Sequence, residues 1–127
     1  MSLEADKVVM IFIVRSDTKM SKGQIASKVA DVTQYIIEEC ILRKYITYVT
    51  WKKFHGSQKI ILKLNSQREF YELHSKLLEL SHEQSFPIKI VKDDQKIKIV
   101  ENIPIVLAFG PIRRSKVDHV VAHLKLL

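Results

Sequence analysis

The chain opens with an uninterrupted apolar run instead of an alternating one. Residues 8–14 read VVMIFIV. A strand that is buried on both faces needs apolar side chains at every position, as the central strands of parallel sheets do. The run is far too short to span a membrane or to form the core of a signal sequence. It therefore predicts a central β-strand.

Three later stretches carry apolar residues at steps of three or four, which is the spacing of one face of a helix. Each begins with a serine that is placed to cap a helix start, at Ser21, Ser66 and Ser115. We expect the first helix to end near residue 42. The predicted inward-facing residues are Ile25, Val29, Val32, Ile36 and Cys40 in the first helix, Phe70, Leu73, Leu77 and Leu80 in the second, and Val117, Val120, Val121 and Leu124 in the third.

Three further stretches, at residues 59–64, 88–91 and 104–109, are rich in Ile, Val and Leu and predict strands. Gly110 and Pro111 are expected to end the last strand, and residues 93–95 are expected to form a turn. The resulting order, β-α-β-α-β-β-α, predicts a mixed sheet with helices packed on it.

Residues 43–58 show no clear periodic pattern and are expected to form an exposed approach to the second strand. Trp51 lies within them and is followed by Lys52 and Lys53, a grouping that could stack a nucleic-acid base. A lone tryptophan is more commonly a partly buried anchor. The sequence favours the anchor.

Composition indicates one globular domain spanning residues 1–127. Of these residues 46% are hydrophobic and 28% are charged. The single cysteine, Cys40, has no partner within the chain for a disulfide and lies on the apolar stripe of the first predicted helix. A reducing, cytoplasmic location is therefore expected, with Cys40 acting as a buried apolar residue and not as a nucleophile.

The net charge of +7 favours an anionic partner such as nucleic acid. One basic group surrounds the start of the first helix, where backbone N–H groups and the helix dipole suit a phosphate. It consists of Arg15, Lys19, Lys22 and Lys28. A second group consists of Lys89, Lys92, Lys96 and Lys98 with Arg113, Arg114 and Lys116. Ordinary solvated lysines are the alternative explanation for both groups.

Common catalytic and metal-binding signatures are absent from the sequence. It contains no G-x-S-x-G, Walker A or G-x-G-x-x-G motif. His119 and His123 are spaced as two ligands on one helix face, but no third ligand is in obvious reach. No metal site is predicted.

Several segments resemble the type 2 peptidyl-tRNA hydrolases, and the order of elements agrees along nearly the whole chain. They are VRSDTKMSKGQIA at residues 14–26, DDQKIK at 93–98 where the family has D-A-G-x-T-Q, the Gly110-Pro111 pair, and HLKLL at 123–127, where the family has the end of a terminal helix. The resemblance implies a three-layer α/β/α domain with a four-stranded mixed sheet. It also implies a homodimer in many members, no membrane partner, and no metal or organic cofactor.

By this resemblance the substrate is peptidyl-tRNA, whose ester between the peptide and the RNA 3′ end is hydrolysed. The family places a lysine, an aspartate and a threonine at its reaction centre. Asp93 matches the aspartate, whereas the lysine position is Gln24 and the threonine position is Ile97. A family histidine position is occupied by Asp31.

Two hypotheses from different classes follow. In one, the chain is a working hydrolase with a rearranged site, in which Asp93 activates water and Lys22 or Lys28 supplies positive charge. In the other, it is a catalytically inactive relative that binds RNA or a protein. The residues expected to hold tRNA phosphates are Arg15, Lys19, Lys22, Lys92, Lys96 and Lys98.

Overall fold

A computed structural model of the chain describes residues 6–92 and 103–127. The strands are β1 (Val8–Arg15), β2 (Lys59–Leu64), β3 (Ile88–Lys92), β4 (Pro104–Arg113) and β5 (Lys125–Leu126). The helices are α1 (Lys22–Arg43), α2 (Ile46–Phe54), α3 (Gln67–Gln84) and α4 (Asp118–Val121), and a 3₁₀ turn spans Arg114–Lys116. Within these ranges no helix is both long and apolar enough to cross a membrane.

The strands of the described residues form one mixed sheet in the order β3-β4-β1-β2-β5. β1 lies at its centre, parallel to β2 and antiparallel to β4. β3 pairs antiparallel with β4, and β5 pairs antiparallel with β2. The predicted α/β class and mixed sheet are confirmed. The predicted number of four strands is wrong, because the sheet has five.

The fifth strand consists of residues expected at the end of the last helix. That helix, α4, spans only Asp118–Val121, and the chain is extended again at Lys125. The backbone N–H of Leu127 donates to the carbonyl oxygen of Ile61 at 3.0 Å. Without β5, the outer edge of β2 would leave backbone N–H and C=O groups without sheet partners. Pairing with β2 therefore competes successfully with continuation of the helix.

Alternate side chains of β1 enter two separate cores, one on each face of the sheet. Ile11 and Ile13 pack with residues of α3 and α4. Met10 and Phe12 pack on the other face with residues of α1 and α2. The seven residues of the apolar run, Val8 to Val14, are buried as predicted, and Arg15, the last residue of β1, is buried as well. Helices therefore cover the sheet from both sides and give α/β/α layers.

The inward-facing positions predicted for the helices are confirmed. Val32, Ile36, Cys40, Phe70, Leu73, Leu77, Val117, Val120 and Val121 are buried, and Ile25, Val29, Leu80 and Leu124 are half-buried. Ser21 and Ser66 cap α1 and α3 as predicted. Ser115 instead lies within the 3₁₀ turn, and α4 begins without a side-chain cap.

Residues 46–54 form helix α2, so the expectation of an exposed approach to β2 is wrong there. Trp51 has only 2% of its surface exposed. Its indole Nε1 donates to the carbonyl oxygen of Gln58 at 2.7 Å, which ties α2 to the residue before β2. The predicted anchoring role is therefore confirmed. Sequence periodicity missed the helix because Trp51 is its one buried residue and no side chain caps its start.

Strand β4 passes through Gly110 and Pro111 to Arg113, so the expectation that this pair ends the strand is wrong. Gly110 has a φ of +104°, and a Cβ there would lie 2.7 Å from the carbonyl oxygen of Val9. The register between β1 and β4 shifts between Val9 and Ile11. A glycine allows the two backbones to remain paired at this irregularity, because no side chain has to fit between them.

We predict that Gly110→Ala lowers the free energy of unfolding by at least about 2 kcal/mol, because the methyl group meets backbone and the φ angle is unfavourable for alanine. Urea denaturation measures the change. Gly56→Ala is the matched control, because Gly56 also has a positive φ of +67° but a Cβ there meets nothing within 4 Å. The control should lose only about 1 kcal/mol. Equal losses in both variants would contradict the close approach at Gly110.

Candidate functional site

The carboxyl ends of three strands meet at one edge of the sheet. Arg15 at the end of β1 lies in register with Leu64 at the end of β2. Across β4, Val106 is paired with Val14 on one side and with Val91 near the end of β3 on the other. The segment leading into α1 leaves β1 at the same edge. We call this region the carboxyl edge, and it collects Arg15, Lys19, Lys22 and Lys92. Arg113 of the second basic group instead pairs with Val8 at the opposite end of β1, and Arg114 and Lys116 follow it there.

Arg15 ties the parts of the carboxyl edge together. Its guanidinium donates to both carboxylate oxygens of Asp17, at 3.0 Å from Nε and 2.7 Å from Nη2. A third bond, at 3.3 Å, runs from Nη1 to the carbonyl oxygen of Pro104, the first residue of β4. Arg15 is 6% exposed. Its guanidinium therefore faces protein partners, and it positions the loop after β1 against the start of β4.

The same contact alters the ionisation of Asp17. Hydrogen bonds from Arg15 and, to a lesser extent, its positive charge lower the pKa of the Asp17 carboxyl from its ordinary value of 3.8, against the opposing effect of burial. Asp17 is therefore ionised at neutral pH and remains so to more acidic pH than a free aspartate. Two hydrogen bonds and opposite charges therefore hold Arg15 and Asp17 together.

The start of α1 is closed by a reciprocal pair of hydrogen bonds. The hydroxyl of Ser21 accepts from the backbone N–H of Gln24 at 3.2 Å, and the Gln24 amide oxygen accepts from the backbone N–H of Ser21 at 2.8 Å. The Gln24 side chain is thus folded back onto the helix start. It occupies the position that the resemblance assigns to a reactive lysine, and here it caps the helix.

Two exposed lysines lie at this helix start. Lys19 precedes it and Lys22 is the first residue of α1, whose first turn contains no acidic residue. Lys28 is half-buried further along α1. Six residues of helix separate Lys22 from Lys28 by about 9 Å along the axis and about 120° around it. The structure therefore places Lys22 at the carboxyl edge and Lys28 on a different side of α1.

The end of β3 brings one more predicted phosphate ligand to this edge. Lys92 is exposed and pairs with Pro104, the residue whose carbonyl oxygen accepts from Arg15. Of the second basic group, Lys89 places its ammonium 4.5 Å from the centre of the Tyr35 ring. The other residues expected here, Asp93, Lys96, Lys98 and the Ile97 position, lie outside the described residues.

A groove that the sequence did not indicate adjoins the carboxyl edge. It has a volume of about 840 Å³ and lies between α1 and β2. Lys22 forms one of its walls, so the groove and the start of α1 share a residue. Its lining residues are Lys22, Ile25, Ala26, Val29, Ala30, Thr33, Lys59, Ile61 and Leu127. The available signal for this groove was the position of Lys59, Ile61 and Lys63 at every second residue of β2, which puts the three side chains on one face.

Neither a metal site nor a cysteine nucleophile is formed by the described residues. No group of three or more His, Cys, Asp or Glu side chains in residues 6–92 and 103–127 is placed to hold a metal ion. His123 instead lies 2.8 Å from a carboxylate oxygen of Glu69. Burial raises the pKa of the Cys40 thiol to about 12, so the nucleophilic thiolate is negligible at neutral pH.

Comparison with known proteins identifies one family. The sequence model described as Peptidyl-tRNA hydrolase PTH2 matches residues 8–127. The peptidyl-tRNA hydrolase of Saccharolobus solfataricus is 30% identical over 123 residues, which cover 94% of this chain and 99% of that protein. The peptidyl-tRNA hydrolase of Staphylothermus marinus is 30% identical over 117 residues, covering 92% and 93% respectively. That of Methanocaldococcus jannaschii is 28% identical over 120 residues, covering 93% and 98%.

We predict that Asp17→Asn lowers the free energy of unfolding at pH 7 by about 1–2 kcal/mol, because a charged pair with a buried guanidinium is lost. The native pKa of Asp17 is lowered, so its stabilising effect is present above the ordinary value of 3.8 and is lost as the pH falls through the native value. The difference between wild type and variant should therefore shrink below about pH 4. Urea denaturation across the pH range measures it.

Glu72→Gln is the control for this experiment. Its partner in an ion pair, Arg68, is 89% exposed, and Glu72 itself is 56% exposed. Removing that pair should change stability by less than about 0.5 kcal/mol. If Asp17→Asn changed the free energy of unfolding as little as Glu72→Gln does, the contact between Arg15 and Asp17 would not stabilise the carboxyl edge.

Proposed function

Because the chain belongs to the peptidyl-tRNA hydrolase PTH2 family, we propose that it binds peptidyl-tRNA at the carboxyl edge and hydrolyses the ester between peptide and RNA. The observation that carries this proposal is the match of the family over residues 8–127. The peptidyl-tRNA hydrolases of Saccharolobus solfataricus and Staphylothermus marinus are aligned over 99% and 93% of their length. A role in translation fits a cytoplasmic location.

The charge distribution at the carboxyl edge supports binding of the RNA. Lys19, Lys22 and Lys92 are exposed there, and the first turn of α1 has no acidic residue to neutralise them. The amino end of a helix carries a partial positive charge, which repels lysines and attracts phosphate. An external anion would offset this accumulation of positive charge. Such contacts bind a phosphate backbone without reading its sequence.

The proposed chemistry is attack of water on the ester carbonyl. Asp93, which directly follows Lys92 in the sequence, accepts a proton from the water as its oxygen bonds to the carbonyl carbon. Lys22, which lies at the carboxyl edge, stabilises the negative charge that develops on the carbonyl oxygen. The bond to the ribose oxygen then breaks. The peptide leaves with a free carboxyl group, and the ribose oxygen takes the proton from Asp93 and becomes a hydroxyl.

The second candidate function is binding without hydrolysis, and Gln24 favours it. Its side-chain amide oxygen accepts from the backbone N–H of Ser21, and this bond holds the side chain in the capping box. A neutral amide in that position supplies no charge to an oxyanion. In this alternative the carboxyl edge retains its affinity for phosphate, and the chain acts as an RNA- or protein-binding relative of the hydrolases.

The surface at the junction of α1 and α2 supports a further proposal, that the chain forms a homodimer. Ile41, Leu42 and Ile46 are exposed there by 60%, 74% and 82%. Contiguous exposed apolar side chains are typical of protein interfaces. Their burial against a second copy would remove this apolar area from water.

We predict that the purified protein releases peptide from peptidyl-tRNA and that Asp93→Ala reduces the rate at least about 100-fold, the usual contribution of a general base. Single-turnover hydrolysis measures the effect. Asp94→Ala is the matched control, because it removes the neighbouring carboxylate and has no assigned role. Retention of full activity by the Asp93 variant would eliminate the proposed site.

Restoring the family residues distinguishes the two candidate functions. If a rearranged site already works, Gln24→Lys combined with Ile97→Thr should change the rate of peptide release less than about threefold. If the wild type only binds RNA, the same double change should raise that rate at least about tenfold above the wild-type background. Gln24→Ala is the control, since it also removes the capping interaction, at a cost of about 1 kcal/mol, without adding an ammonium group. Filter binding of tRNA across a salt series confirms that each variant still holds RNA.

A further inference from the structure

The groove beside α1 lies on a part of the sheet that carries regularly spaced lysines. Lys59, Ile61 and Lys63 of β2 are in register with Met10, Phe12 and Val14 of β1. Residues paired across neighbouring strands point to the same face. All three β2 side chains therefore face the α1 side of the sheet, with Lys59 and Lys63 about 13 Å apart on either side of Ile61.

The floor of this groove is apolar, and its charged residues have one sign. Ile25 and Val29 of α1 and Ile61 of β2 are half-buried and face it. None of the lining side chains in the described ranges is acidic. The volume of about 840 Å³ is large enough for roughly two nucleotides or a comparable ligand. The groove thus combines apolar contact area with a basic rim.

A second pair of lysines places like charges opposite each other beyond the lining of this groove, two residues from its lining residues Ile61 and Leu127 on the same face of the sheet. Lys63 of β2 is directly paired with Lys125 of β5, and both are exposed. Like charges in this arrangement destabilise a sheet. Among residues 6–92 and 103–127, neither ammonium forms an ion pair with a carboxylate. An anion bound between them would relieve the repulsion.

Lys59 is held in place at the other end of β2. Its ammonium donates to the carbonyl oxygen of Ser57 at 3.2 Å and lies 5.3 Å from the centre of the Trp51 ring. The exposed lysines on β2 and β5 are thus Lys59, Lys63 and Lys125. Lys22 is a fourth lysine, and it belongs to both the groove and the carboxyl edge. A ligand that follows these charges reaches the start of α1, where the proposed reaction takes place.

We propose that this groove binds the single-stranded 3′-terminal nucleotides of the RNA substrate. The phosphates contact Lys59, Lys63 and Lys125, while the sugars and bases lie against the apolar floor. This inference rests on the proposed function, because it assigns a position to the end of the RNA that carries the ester. Charge favours RNA over the peptide as occupant, since a peptide has no fixed negative charge to match several lysines.

The test is binding of a single-stranded RNA of about six nucleotides, followed by fluorescence anisotropy across a salt series. Lys63→Gln with Lys125→Gln should lower the slope of log affinity against log salt by about 1.4, because two single-strand phosphate contacts are lost. If the wild type and the double variant bind equally at 1 M salt, this difference in slope makes the variant bind roughly 25-fold more weakly at 0.1 M salt. Lys52→Gln with Lys53→Gln on α2 removes equal charge outside the groove and should leave the affinity within about twofold.

A second pair of variants tests the floor of the groove. Ala26→Glu places a negative charge in the groove, whereas Ser27→Glu places the same charge on α1 outside its lining. Only the first should weaken RNA binding, and circular dichroism establishes that both variants are folded. Equal affinities for the two variants, or an unchanged affinity in the Lys63 and Lys125 double variant, would overturn the assignment.

The outcomes separate this inference from the proposed hydrolysis. Lysine-dependent RNA binding without release of peptide from peptidyl-tRNA supports the groove and contradicts hydrolysis. Release of peptide with the same KM in wild type and in the Lys63 and Lys125 double variant supports hydrolysis and contradicts the groove. Preferential binding of a neutral apolar peptide, weakened by Ala26→Glu but unaffected by the lysine changes, would assign the groove to the peptide and overturn the inference.

Discussion

A strand that carries no polar side chain until its last residue must be covered on both faces and paired on both edges, and β1 imposes this requirement on the rest of the structure. Its odd-numbered apolar residues enter the core under α3 and α4, and the even-numbered ones enter the core under α1 and α2. β2 and β4 satisfy its backbone on either side. Because burial of apolar area is the main favourable term in folding, these partners are held together through β1.

The polar end of the same strand determines the geometry of the candidate site. Arg15 is the one buried charged residue within residues 6–92 and 103–127. A buried guanidinium is costly unless its hydrogens find acceptors, and here Asp17 and Pro104 provide them. Satisfying this charge brings the loop after β1 to the beginning of β4, beside the end of β3. Exposed Lys22 and Lys92 are thereby placed around an edge whose geometry the contacts of Arg15 maintain.

Local patterns were sufficient for most elements, whereas features that depend on pairing between distant segments were not predictable. The buried run of β1, the bounds of β2 and the apolar stripes of the helices are each written in consecutive residues. β5 exists because the C-terminal residues pair with β2, which is more than sixty residues away in the chain. The continuation of β4 through Gly110 depends on its contact with Val9. The same distinction applies to the candidate site. Lys22 and Lys92 could be singled out from their positions at a helix start and a strand end. The groove lysines could not be grouped from the sequence, because the strand register brings them to one face.

At the start of α1, binding of phosphate and catalysis place different physical requirements on the residues. Binding phosphate requires positive potential and free donors, which Lys19, Lys22 and the helix amino end provide without any particular residue at position 24. Stabilising an oxyanion requires a charge held at one atom, and a side chain that caps the helix cannot also reach outward. Gln24 satisfies the capping box with both hydrogen bonds and adds no further charge to an already positive helix end. Affinity for RNA is therefore compatible with either candidate function, whereas hydrolysis requires Asp93 and the remaining lysines to compensate for the amide.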